Sequence, residues 1–227
     1  MVLQNAAWFL LSCMGWLAFS YLFISIGEHQ IHKHFMHRKR LFNWLYKIFP
    51  YLIDVFEAHA VRHHAHWYKE FDYEPDDYGR QENLDIKVTE TVVMTVSTAP
   101  LWVWLFFISI PGGVIFLGTI IAHNRLWNVL HRQMHIPQNV FFKDWALFRY
   151  LARNHFMHHR RSQSNYNVVC PLADFLFRTK AKPTQADIRE MLRLGYLRPT
   201  SDRVQQLIDR WREATDMQRE QSANASA

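Results

Sequence analysis

Two long stretches without a charged side chain limit what this chain can become. Residues 1–27 carry none, and neither do residues 91–122. Runs of that length are unusual in soluble domains and ordinary in membrane spans. Residues 6–26 read as one transmembrane helix, because about 20 residues at ~1.5 Å each cover the ~30 Å hydrocarbon core. No Lys or Arg precedes the run and no small-residue cleavage site follows it, which favours an uncleaved anchor over a signal peptide. The second run is too long for one ordinary span, and Pro111-Gly112-Gly113 interrupts it near its middle. This turn signal predicts a helical hairpin, one arm about 91–110 and the other about 114–130.

Charge sets the orientation. Lys33, Arg38, Lys39, Arg40 and Lys47 follow the first run, and nothing basic precedes it. The positive-inside rule then puts the N-terminus outside and residue 28 onward inside, and the hairpin returns the chain to the inner side at His123. The expected fold is an all-α integral membrane protein with about three crossings, one as a hairpin, and a cytosolic helical cap. Residues 41–56 are amphipathic, with Trp44, Tyr46, Phe49 and Tyr51 suited to the interface. Residues 68–85 form an acidic loop, and 141–152 a second short amphipathic helix. Helices in the polar tail should start near Thr184 and Ser201, each an N-cap, with 221–227 unstructured. The formal net charge is +6. Beside apolar runs, this favours anionic lipid headgroups over nucleic acid as the partner. Arg160 and Arg161 read first as headgroup contacts and second as a dock for an acidic protein. The cysteines, Cys13 and Cys170, make no CxxC pair, so sulfur is not the metal-binding resource.

Histidine is. All fourteen lie between His29 and His159, in four groups. These are His29, His32, His34 and His37; His59, His63, His64 and His66; His123, His131 and His135; and His155, His158 and His159. On an α-helix, residues three or four apart share a face, which pairs His59 with His63, His131 with His135, and His155 with His158 or His159. A lone histidine near a membrane is more often an interfacial polar residue than a ligand. Four groups at ligand spacing point to a metal, and neutral imidazole suits iron, zinc and copper. One zinc needs about four ligands, so ten or more candidates suggest two ions. The chain has no HExxH, no Gly-rich phosphate loop and no GxSxG elbow.

The order of the groups resembles the fatty acid hydroxylase/sterol desaturase superfamily of membrane di-iron enzymes. Glu28-His29-Gln30-Ile31-His32-Lys33-His34-Phe35-Met36-His37 resembles the first box, HxxxxH. His59-Ala60-Val61-Arg62-His63-His64 resembles the second, His131-Arg132-Gln133-Met134-His135 the HxxxH pair after the hairpin, and His155-Phe156-Met157-His158-His159 the last, HxxHH. Asn165-Tyr166-Asn167 is similar to the family's NYG, and Asp174-Phe175-Leu176-Phe177-Arg178-Thr179 to its DxxFGT. The likeness covers roughly residues 28–179. The second box has one extra residue, and Asn167 and Arg178 stand where the family has glycines. His32 and His37 are five apart, about 140° around an α-helix, so their selection over His29 or His34 rests on the resemblance.

The resemblance implies hydroxylation or desaturation at a C–H bond of a lipid substrate, such as a fatty acyl chain or sterol-like molecule, using O2. It implies two Fe ions, with Zn as a substitute, in a dinuclear site held by His32, His37, His59, His63, His64, His131, His135, His155, His158 and His159. His29, His34, His66 and His123 would be spares near the metal, and Glu28, Glu57, Asn165 and Asp174 outer partners. On this reading 1–27 is the anchor, 28–180 the catalytic domain with its hairpin at about 91–130, and 181–227 a soluble helical tail. The histidine site and the C-terminus face the cytoplasm. The chain contains no fused redox module, so a separate electron donor of ferredoxin, cytochrome or flavin reductase type is expected. Two other readings stay open at this level: a histidine-rich membrane metal transporter or carrier, and a bis-histidine membrane cytochrome.

Overall fold

The computed structural model describes residues 2–39, 41–68, 71, 85–199 and 201–225, and over these it is all helical, without a strand. In chain order the elements are α1 (Val2–Ile31), a first π-helical segment (His32–Met36), α2 (Asn43–Ile48), α3 (Tyr51–Phe56), a second π-helical segment (Glu57–Trp67), α4 (Val88–Ser97), α5 (Ala99–Ile108), α6 (Ile110–His135), α7 (Ala146–Arg160), α8 (Leu172–Leu176), α9 (Gln185–Arg193) and α10 (Asp202–Ala225). The acidic stretch at 68–85 lies outside the described residues except for Tyr68, Phe71 and Asp85.

The first π segment continues α1 without a break. The combined helix, Asn5–Met36, is long and apolar enough to cross a membrane. Its N-terminal half displays Trp8, Phe9, Leu10, Leu11 and Met14 on the surface. Among the described residues a second span exists only if the bent pair α4 and α5 counts as one. That bend, 58° at Thr98, replaces the straight first arm expected for the hairpin. Its cause is Pro100, which has no N–H to donate and crowds the carbonyl one turn back. Trp102 Nε1 donates to the Thr95 carbonyl at 2.9 Å and holds the two halves together.

The turn after α5 also lies earlier than expected. Ser109 alone makes it, accepting from Gly112 N at 3.2 Å as the N-cap of α6. Pro111-Gly112-Gly113 is therefore the first turn of a helix, where a proline's missing N–H costs nothing. The glycines are there for close approach. A Cβ on Gly113 would meet the Phe106 ring at 2.6 Å, and one on Gly112 would meet Trp16 at 2.9 Å. Gly113→Ala is expected to force α5 and α6 apart and destabilise by about 1–3 kcal/mol, measured as a lower unfolding temperature of the purified protein. An unchanged temperature would show that Phe106 moves aside freely.

Two further expectations are corrected. The 41–56 stretch is two helices, α2 and α3, divided at Phe49 and Pro50. The helix placed at 141–152 is instead α7; residues 141–145 are turns, closed by Trp145 N to the Phe142 carbonyl at 3.0 Å. The tail begins as expected, with Thr184 capping α9 in a reciprocal pair with Asp187, and Ser201 heading α10. But α10 runs through Gln221 to Ala225.

Two apolar cores position the site. Ile24, Leu105, Phe116 and Ile120 pack α1, α5 and α6 together. Trp127, Met134, Phe148, Leu151, Phe156 and Met157 join α6 to α7, and Met191 and Tyr196 close this core from the tail. Arg160 and Arg161, expected as outward contacts, each have a partner within the chain. Both turn to the buried Asp187, at 3.3 and 3.1 Å, and clasp α9 to the end of α7.

Candidate metal centre

The two π segments solve the spacing problem in the sequence. In a π-helix the hydrogen bond runs from residue i+5 to residue i. His37 N donates to the His32 carbonyl at 3.1 Å and Tyr68 N to the His63 carbonyl at 2.8 Å. The widened turn brings residues five apart onto one side, so His32 meets His37 and His59 meets His64. Further along, α6 is regular and stacks His131 under His135, and α7 does the same for His155 and His159.

The structure sorts the ten histidines into two groups of five. His32, His37, His59, His64 and His158 form the first; His63, His131, His135, His155 and His159 form the second. Within each group the nitrogens lie within 4.8 Å of one another, and either group can hold a metal ion. The α-helical pairing of His59 with His63 is corrected: they belong to different groups, as do the neighbours His63 and His64, and His158 and His159. These neighbours make the seam, where the His64 and His159 rings stack at 3.9 Å.

The donor set fits a cation. His32, His135, His158 and His159 each donate Nδ1–H to a main-chain carbonyl: Tyr166, Phe71 (3.1 Å), Ser164 (2.7 Å) and Tyr68 (3.2 Å). That bond fixes the tautomer and leaves a bare lone pair on Nε2. Those Nε2 atoms point inward at other imidazole nitrogens: His32 to His59 at 2.8 Å, His158 to His37 at 2.9 Å, His135 to His155 at 3.0 Å and His159 to His63 at 3.2 Å. Lone pairs converging in a buried space repel unless a cation sits among them. Two nitrogens each about 2.1 Å from an ion are about 3.0 Å apart at a right angle, which suits five or six donors better than a tetrahedron. Burial keeps the rings in the ligating form. Desolvation, helped by the His158 imidazole and the Arg38 guanidinium, lowers His37 to about 2, and desolvation lowers His135 to about 3 and His158 to about 4. His59, His63, His64, His155 and His159 are pushed down by the same burial.

The four remaining histidines lie outside both groups. His29 is buried, with Nε2 donating to Thr179 Oγ1 at 3.0 Å. His66 is exposed, His34 is half-buried, and His123 sits midway along α6 rather than at its inner end. The expected outer partners also differ from expectation. Glu57 is exposed. Glu28 and Asp174 make no hydrogen bond to any of the ten histidines among the described residues; they hold the buried loop 165–169. Asp174 accepts from Tyr166 N (2.9 Å) and Asn167 N (3.0 Å), and Glu28 from Val168 N (2.9 Å) and Asn167 Nδ2 (3.0 Å). Asn165 ties the same loop to Asn154 at 2.8 Å and to Ala181 N at 2.8 Å. The carbonyls that hold the imidazoles went unread because any residue type supplies one. Asn165 and Arg178 have φ of 53° and 54°, so the left-handed turn that glycine takes freely is retained at Arg178 with a side chain.

A cavity of about 550 Å³ lies between α1, α3, α4 and α6, walled largely by apolar side chains including Phe23, Ile24, Phe116, Ile120 and Trp127. His32 and His59 of the first group form part of its lining. No family model, curated protein or solved structure matches this chain.

Proposed function

We propose that this chain is an integral membrane di-iron oxygenase that hydroxylates or desaturates a C–H bond of a lipid-like substrate. The observation that carries this reading is the pair of five-histidine groups set against an apolar cavity that reaches His32 and His59. A structural zinc site uses about four ligands and closes on itself; two adjoining groups, the first opening on an apolar space, fit chemistry on a substrate. When bound, two iron ions would supply, with O2 and electrons from a separate donor, the oxidising power that an unactivated C–H bond demands.

The chain's own residues do the rest. The carbonyls of Tyr166, Ser164, Tyr68 and Phe71 orient the ligating rings, the kind of outer support on which metal affinity depends. The cavity walls exclude water and align a long apolar molecule. The apolar outer faces of α4, α5 and α6, with Val92, Trp104, Phe107 and Val114 exposed, suit contact with acyl chains and lateral entry. About three crossings, with the histidines and the C-terminus on the cytoplasmic side, give a soluble ferredoxin, cytochrome or flavin reductase access to the centre.

Protein purified anaerobically and loaded with ferrous iron is expected to hold close to two ions per chain, and to incorporate oxygen from labelled O2 into, or desaturate, an extracted lipid. Zinc will fill the same positions after overexpression, since it binds such ligands at least as tightly. A constant single ion per chain, or none after loading, rejects the dinuclear reading.

A further inference from the structure

Apart from the histidine groups, the cavity walls are mostly apolar. Tyr51, Asp85, Glu90, Ser97 and Thr98 are polar residues of its lining, and Glu28, His123 and Asn124 form another polar place on α1 and α6. His123, on α6, is nearly buried, and its Nε2 lies 3.7 Å from Glu28 Oε2. Glu28 is fixed by the loop bonds described above. His123 has no hydrogen bond among the described residues, and Asn124 beside it gives only a 3.8 Å contact from Nδ2 to Met94 Sδ. All three line the cavity. Polar side chains in such surroundings are costly unless they gain partners, and in a substrate cavity the partner is a polar group of the ligand.

We propose that Glu28, His123 and Asn124 form an anchor that selects, for the oxidation proposed above and resting on that reading, an apolar substrate bearing a hydroxyl group. A hydroxyl both donates and accepts, so it can donate a hydrogen bond to the Glu28 carboxylate and accept one from His123 or Asn124. A carboxylate substrate would set its oxygens against those of Glu28. A bare hydrocarbon would leave His123 without a hydrogen bond and Asn124 with only its sulfur contact. Glu28 precedes His32 by four residues on one continuous helix, about 6 Å of rise. The carbon that reacts is therefore several bonds from the carbon that bears the hydroxyl.

The test is equilibrium binding of labelled 1-dodecanol, its methyl ether and dodecane to the zinc-loaded full chain in lipid nanodiscs, corrected with protein-free discs. Wild type is expected to bind the alcohol about tenfold more tightly than the alkane, the scale of one hydrogen bond to a charged partner, with the ether between them. His123→Leu should narrow the gap between alcohol and alkane, Glu28 still accepting from the hydroxyl, while alkane binding and metal content persist. Equal binding of alcohol and alkane by wild type overturns the proposal without recourse to a variant. So does a His123→Leu protein that discriminates as strongly as wild type. Because zinc does no oxygen chemistry, the two readings fail separately. Selective binding without lipid oxidation by the iron form keeps the anchor and removes the oxygenase; oxidation without selectivity does the reverse.

Discussion

His158→Ala and His159→Ala are each expected to leave the chain with about one tightly held ion instead of two, and each to lose a different one. The residues are neighbours on α7, but ~100° separates them around the helix axis. His158 Nε2 faces His37 in the first group, and His159 Nε2 faces His63 in the second. Four imidazoles remain in the damaged group, enough for loosely held zinc. Losing a direct donor should weaken iron there by more than the roughly 10–100-fold typical of losing an outer partner. Iron content after dialysis against a chelator, with X-ray absorption on each variant, reads the result. The residual spectra should differ, the double variant should keep no tight iron, and lipid oxidation should vanish in all three. Two ions and full activity in both single variants would remove the last box from the ligand set. Loss of both ions from each would show one indivisible centre, not two positions.

How much of this was legible before the structure depends on the backbone beneath each residue. His131 with His135, and His155 with His159, were readable because α6 and α7 are regular there and the four-residue rule applies. The rule failed at His59 and His63, and was silent on His32 and His37, because the backbone widens to a π-helix. No proline or glycine marks either segment; the histidine spacing of five is the one trace, and an α-helical ruler discards it. The bend at Thr98 was visible in Pro100 but was masked by the stronger turn signal of Pro111-Gly112-Gly113, which turned out to begin a helix. Glu28 and Asp174 were singled out in the sequence as acceptors for the imidazoles, whereas their hydrogen bonds among the described residues go to loop 165–169. A residue's chemistry shows that it will accept hydrogen bonds, not whether a ring or a main-chain N–H will reach it first.

That reassignment sets the outcome of Asp174→Ala. Asp174 is fully buried, and its two oxygens serve Tyr166 N, Asn167 N and the Thr179 hydroxyl, the last at 2.7 Å. Alanine strands two buried main-chain donors, each worth about 1–3 kcal/mol when unsatisfied. A total of about 3–5 kcal/mol should lower the unfolding temperature by roughly 10 °C in a chain of this size. The metal consequence is selective. The loop held by Asp174 carries the Tyr166 carbonyl that orients His32, and Ser164, one residue upstream of the loop, orients His158; both rings belong to the first group. The second group takes its outer carbonyls from Tyr68 and Phe71, in a separate part of the chain. Asp174→Ala should therefore lose the ion bound by His32, His37, His59, His64 and His158 well before the other. Asp174→Asn, which keeps one acceptor oxygen but turns an amide toward the other donor, should fall between. Equal loss from both groups, or a lower unfolding temperature with two ions still tightly held, would show that Asp174 supports the fold without positioning the metal ligands.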